Sequence, residues 1–307
     1  MTKPLYRSIF TDSKGNVVEY CVYGSGEIDN MHPVLFIPGR PAQLMLPKGL
    51  EDPGLLVYVM SRPGYGKSSD PQDGASLETY SATLAEFVEK VIGGKVTLVT
   101  HSAGSAFGVS FANLYSHLVN LTVLCAPARP NKADDPDASD TWFTRLSYVL
   151  AIKPIRWVTN WFFGLMVKTM VRNLDKGYIT RLPASDQIIL RGQLEEYQQA
   201  VNEALLTADG EFRITGMLHD MRLTGSNWWP DVDGLKAPIV VVVGGQDNIV
   251  GSQPFVLTTF GNTLNKMLEF ASFCDDGHFG SLYSGEHSFV AKVLRWIESS
   301  RSWNSRS

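Results

Sequence analysis

Three short stretches hold residue types that could do acyl-transfer chemistry. They are Thr100-His101-Ser102-Ala103-Gly104, Gly244-Gly245-Gln246-Asp247 and Asp275-Asp276-Gly277-His278-Phe279-Gly280. A serine hydroxyl is a poor nucleophile at neutral pH and needs an adjacent base. Histidine suits that task because its ordinary pKa lies near the working pH. The imidazole in turn needs a carboxylate on its other nitrogen, to fix the tautomer and stabilise the imidazolium. Ser102, His278 and Asp247 are the candidates for these three roles. Ala103 and Gly104 are small, as a sharp turn exposing Ser102 requires, and Ser102 falls where a helix should begin, so the helix dipole favours negative charge there.

The elements that would carry these residues are legible. Residues 5–11 and 17–23 read as a hairpin around the turn Ser13-Lys14-Gly15-Asn16. The runs 34–37, 55–60 and 239–243 are continuously apolar and bounded by Gly, Pro or small residues, as strands buried on both faces are, and 95–100 and 121–125 read as further strands. A final strand is expected at 267–271 and a last helix near 286–300. Between 76 and 92, Leu77, Tyr80, Leu84, Phe87 and Val91 recur at helical spacing, with Ser76 placed to cap the start and Gly93 the stop. Alternating strands and helices predict right-handed crossovers in a mostly parallel sheet. Ligands of such sheets bind at the carboxyl ends of the strands, and all three candidate stretches follow strands. The alternation stops after Cys125 and resumes at Ile239. Residues 129–235 therefore read as a helical cap, or lid, inserted in a core made of 1–128 and 236–307.

The chain resembles the α/β-hydrolase superfamily, in its branch of esterases, lipases and cofactor-free haloperoxidase-like enzymes. Five segments in order carry the resemblance: Phe36-Ile37-Pro38-Gly39-Arg40-Pro41, Arg62-Pro63-Gly64-Tyr65-Gly66-Lys67-Ser68, Val99-Thr100-His101-Ser102-Ala103-Gly104, Gly244-Gly245-Gln246-Asp247-Asn248-Ile249-Val250, and Gly277-His278-Phe279. It implies an α/β-hydrolase fold with a helical cap and a Ser-Asp-His order along the chain. It also implies an oxyanion hole formed by the backbone N–H groups of Arg40 and Ala103. Two departures stand out. Thr100 replaces the usual first glycine of the elbow, and Pro38, which has no N–H, replaces the usual histidine. Arg40's side chain could intrude on the site.

The implied activity is hydrolysis of an ester or related acyl bond in a small, fairly apolar substrate, without cofactor or metal. Carbon–carbon hydrolysis or lyase action by the same triad is the alternative, as is a receptor with a relic triad. Aspartate-nucleophile relatives are disfavoured because serine holds the elbow. The inserted segment holds five of the seven tryptophans, Trp142, Trp157, Trp161, Trp228 and Trp229. Trp142, Trp161, Phe162 and Trp228 are expected to wall the substrate pocket, although core packing of the lid explains such residues equally well.

The remaining histidines, His32, His101, His117, His219 and His287, read as structural or solvated. His32 and His117 fall in expected connections, and Asp275 and Asp276 are expected loop charges. Gly-Lys-Ser at 66–68 lacks the first glycine of a phosphate loop, since Ser61 stands there. A net charge of −4 gives no reason to expect a nucleic-acid partner. The longest uncharged stretch of the cap, 157–167, is too short to span a bilayer, and membrane contact is not expected. Cys21, Cys125 and Cys274 form no CxxC pair, and 1–8 has no apolar signal region. The expected setting is cytoplasmic, and oligomeric state is left open.

Overall fold

A computed structural model describes residues 3–25, 27–128, 142–152, 155–226, 228, 237–247, 249, 268–273 and 277–284; for 142–145 and 268–273 it describes the backbone alone. The strands are β1 (Tyr6–Thr11), β2 (Val17–Tyr23), β3 (His32–Ile37), β4 (Leu55–Met60), β5 (Val96–His101), β6 (Val119–Cys125), β7 (Ile239–Gly244) and β8 (Leu268–Phe273). They form one eight-stranded sheet in the order β1-β2-β4-β3-β5-β6-β7-β8. β1 pairs antiparallel with β2, and β2 with β4; every other pair is parallel. The expected mostly parallel α/β sheet is therefore the observed one. His32 opens β3 rather than lying in a connection, and its Nε2 lies 2.7 Å from Thr97 Oγ1.

Side chains alternate across the sheet and build two apolar layers. Leu35 and Ile37 point to the face covered by α1 (Leu77–Phe87) and α2 (Gly104–Leu114), where Leu84, Phe87, Phe107 and Phe111 meet them. Val34 and Phe36 belong to the opposite layer, with Val99, Val123 and Val242. The start of α1 is a reciprocal cap: Ser76 N–H donates to Thr79 Oγ1 at 2.9 Å, and Thr79 N–H donates to Ser76 Oγ at 3.4 Å. The helix continues through a wider turn over Val88–Ile92 and stops at Gly93, whose φ of +76° is left-handed.

Among the described residues, five α-helices lie between β6 and β7: α3 (Trp142–Ile152), α4 (Arg156–Arg172), α5 (Ala184–Arg191), α6 (Leu194–Leu205) and α7 (Thr215–Thr224). Their inward residues, among them Tyr148, Phe163, Val167, Tyr197 and Met217, join the layer of Val34 and Phe36. The insertion is thus part of a continuous core. Burying one such side chain contributes about 1.5–3 kcal/mol. No helix among the described residues is long and apolar enough to cross a membrane. The expected helix near 286–300 lies outside the described residues.

Candidate active site

Ser102 sits between the end of β5 and the start of α2, with φ at +50°. A non-glycine residue rarely adopts that backbone, which costs on the order of 1–3 kcal/mol and persists only where the surroundings enforce it. Ser102 N–H donates to Cys125 C=O at 3.0 Å, and Ser102 C=O accepts from both Ser105 and Ala128 at 3.0 Å. These bonds join the turn to the end of β6. Thr100 fits the elbow because its methyl lies against Gly108 in α2 and its hydroxyl lies 3.1 Å from Ser105 Oγ.

Asp247 follows β7 in a turn where its N–H donates to Gly244 C=O at 3.2 Å. Its Oδ1 accepts from Ile249 N–H at 2.8 Å, and its Oδ2 lies 2.9 Å from His278 Nδ1. Both residues are buried, at 4% and 2% exposure. The sequence-predicted base and acid are therefore in contact across 31 residues of chain. Ser102 Oγ has no hydrogen bond among the described residues.

His101 faces the site, not solvent. It is 2% exposed, and its ring centroid lies 4.7 Å from that of His278 and 5.3 Å from that of Phe279. Burial, with His278 beside it, lowers its pKa to about 3, so it is neutral. Its Nε2 lies 3.1 Å from His278 C=O. A carbonyl only accepts, so the single ring proton is assigned to Nε2, which donates to the backbone of the candidate base.

The loop after β3 lies against the elbow: a Cβ added to Gly39 would come within 3.1 Å of Ser102 Cβ. Arg62 holds this loop. Its guanidinium donates to Pro38 C=O and, at 3.1 Å, to Gly39 C=O. Asp220 of α7 binds the same guanidinium, with Nη2 to Oδ2 at 2.5 Å, and accepts from Tyr65 Oη at 2.9 Å. Arg62 and Asp220 are both 0% exposed. The backbone N–H groups of Arg40 and Ala103, on the two segments that meet at Ser102, donate to no acceptor among the described residues. Arg40's side chain turns to the insertion, where Nη2 donates to Tyr148 Oη at 2.8 Å.

A second carboxylate of the insertion was invisible to sequence reasoning. Asp186 of α5 is 0% exposed and accepts from His278 N–H at 2.7 Å and Phe279 N–H at 2.9 Å, one bond to each oxygen. Gly277 leaves room for it, because any Cβ there would collide with the carboxylate. Burial raises the Asp186 pKa, while the two N–H groups and nearby His278 oppose that rise. Only a contact map reveals this role, since the partners are 92 and 93 residues apart.

The residues expected to wall a pocket take different places. Phe162 is buried with the core residues of the insertion. Trp161 is 66% exposed and Trp157 76%, on the outer side of α4, so neither closes a pocket. Trp228 is buried in the layer of Leu35 and Ile37, on the far face of the sheet. The cause is common to these corrections: aromatic composition marks burial but not which surface is buried. The side chain of Trp142, the whole of Trp229, and Asp275 and Asp276 lie outside the described residues.

Residues 34–283 match the family model described as Alpha/beta hydrolase family. The chain belongs to the alpha/beta hydrolase family. Its fold is shared with an esterase from Thermogutta terrifontis, at 20% identity, 98% coverage of both chains and a TM-score of 0.57. A bromoperoxidase from Bacillus anthracis matches at 18% identity and a TM-score of 0.64, covering 95% of this chain and 100% of that one. E-2-(acetamidomethylene)succinate hydrolase matches at 16% identity and a TM-score of 0.62, with 95% and 99% coverage. No curated protein sequence matches significantly. Family membership makes this alpha/beta hydrolase an enzyme of the hydrolase class.

Proposed function

We propose that this hydrolase cleaves an ester or related acyl bond of a small, fairly apolar substrate through Ser102, His278 and Asp247, with 129–235 as its cap. The observation that carries this reading is the buried His278 Nδ1–Asp247 Oδ2 contact of 2.9 Å, at strand ends on the side of the sheet where Ser102 occupies a strained elbow. Ser102 Oγ attacks the carbonyl carbon while His278 Nε2 takes its proton. Asp247 stays ionised and stabilises the imidazolium. The N–H groups of Arg40 and Ala103 receive the oxyanion; one such donor is worth about 2.7–4 kcal/mol in the transition state. His278 returns the proton to the leaving group, and a water repeats the sequence to free the acid. Buried free thiols at Cys21 and Cys125 support a reducing, cytoplasmic setting.

A fluorophosphonate probe tests the nucleophile. It should label wild type at Ser102, found by peptide mapping, and leave Ser102→Ala unlabelled. Aryl-ester turnover should fall in that variant to the residual level left by binding and the oxyanion hole. Labelling at another serine with activity retained would move the nucleophile elsewhere. Folded protein that binds esters without turning them over would favour a receptor.

A further inference from the structure

The acyl-transfer reading leaves the Arg40 guanidinium without a task. One nitrogen, Nη2, donates to the Tyr148 hydroxyl, and the group lies 5.4 Å from that ring's centroid. Nη1 is shut from solvent and has no hydrogen-bond partner. No carboxylate among the described residues forms an ion pair with Arg40. Among the described residues three carboxylates stand in this part of the molecule; Asp220 attracts Arg40 through space, but each of the three is hydrogen-bonded by other donors. Asp220 is bound by Arg62 and Tyr65, Asp247 by His278 and Ile249, and Asp186 by the N–H groups of His278 and Phe279.

A buried charge is costly unless it is paired. Lysine or histidine could escape by losing a proton, but a guanidinium does not. Among the described residues no hydrogen-bonded anionic partner for this charge remains, and an anion carried by the substrate would supply one. Three residues along the same loop, Gln43 is 2% exposed, and its Oε1 also lacks a hydrogen-bond partner. The buried hydroxyls of Tyr197 and Tyr283 stand near Gln43 with no hydrogen bond of good geometry. Arg40, Gln43, Tyr197 and Tyr283 thus leave polar atoms buried without hydrogen bonds beside the apolar cluster of the insertion.

We propose that the Arg40 side chain binds a carboxylate on the substrate, so that one loop grips the substrate's charged end and offers its backbone N–H to the reacting carbonyl. The inference rests on the acyl-transfer reading and narrows its substrate class to short acyl compounds with one anionic end. A single unpaired cation matches a single negative charge. A phosphate dianion would leave one charge unmatched. The planar guanidinium fits a carboxylate through two parallel N–H donors.

Aryl monoesters of succinate and glutarate, compared with aryl butanoate and pentanoate, test this directly. Wild type should favour the carboxylate-bearing ester in kcat/KM by ~10- to 100-fold, the worth of charge-assisted hydrogen bonds. Arg40→Met should abolish that ratio, and Arg40→Lys should restore part of it. In parallel, Ser102→Ala titrated calorimetrically with glutarate should bind it, tightly enough to detect and more tightly than inorganic phosphate. A wild-type ratio at or below one, with neutral esters turned over, would overturn this proposal and leave the hydrolase reading standing. Glutarate binding that depends on Arg40, with no ester turned over, would uphold the anion site and sink the hydrolase reading. Phosphate bound more tightly than glutarate would overturn the choice of carboxylate.

Discussion

Asp247 and His278 stand in their expected relation, and their separate contacts sharpen what each substitution does. Asp247→Asn keeps an acceptor for Ile249 N–H but can present an N–H donor to His278, reversing the tautomer. Turnover should drop by orders of magnitude, approaching the ~10⁴-fold of a wrong-tautomer triad, with the far-UV spectrum unchanged. Near-normal turnover would hand the orienting role to another acid. His101 makes a separate prediction about stability. Its pKa is about 3 in the folded protein against 6.5 for an unperturbed histidine. Between those values the unfolded chain holds the extra proton, so folding free energy declines as pH falls through that window, by at most ~1.4 kcal/mol per pH unit. Urea titrations of His101→Gln across the same window should show a shallower decline, because glutamine keeps a donor and does not titrate. Equal slopes would mean other groups set the acid limit. Ser102, Asp247 and His278 could be picked out as candidates because each follows a strand-like run and has a type suited to the proposed task, and the Asp247–His278 contact brings two of them together. The place of His101 was not: a strand end tells which residue is last but not what packs over it.

At the scale of single elements, α5 is the clearest addition. Its amphipathic pattern announces a helix in the insertion but gives no hint that Asp186 reaches the backbone of the base's loop. The carboxylate accepts two N–H groups that would otherwise be buried without partners, and each orphan would cost about 1–3 kcal/mol. Asp186→Asn leaves one oxygen and turns an N–H donor toward another donor. The His278 loop should shift by a fraction of an ångström. We expect kcat to fall ~10- to 100-fold with KM nearly constant, since misplacement of a catalytic group is felt in the transition state. The rate of fluorophosphonate labelling should fall in step, with the fold retained by circular dichroism. A loss confined to thermal stability, with labelling unchanged, would reduce Asp186 to a structural anchor. The strands came through from sequence within a residue or two at their ends, whereas the helices of the insertion were expected only as a helical region without bounds. Thr79 in the cap of α1 is the kind of detail composition cannot supply.

For the whole molecule, the sheet and the break in strand–helix alternation after β6 were readable from the sequence pattern, whereas the bolts between the sheet and the helices that follow β6 were not. Arg62 and Asp220 are 158 residues apart. Nothing local about either residue marks it as half of a fully buried ion pair. Asp220→Ala strands the guanidinium and should cost ~3–5 kcal/mol in urea unfolding. Replacing both partners with apolar residues should recover part of that stability. Activity should stay low even then, because the carbonyls of Pro38 and Gly39 lose their donor and the loop before Arg40 loosens. Recovery of both together would show that the pair serves stability alone.

Asp220 and Asp186 come from two helices of one insertion, and they fasten two loops beside Ser102: the one before Arg40, through Arg62, and the one that carries His278. α5 and α7 are therefore fixed posts, because withdrawing either one takes away the support of a loop. In amide exchange, the backbones of α5 and α7 should open with the sheet strands, as late as global unfolding, and well after any segment that yields to admit a ligand.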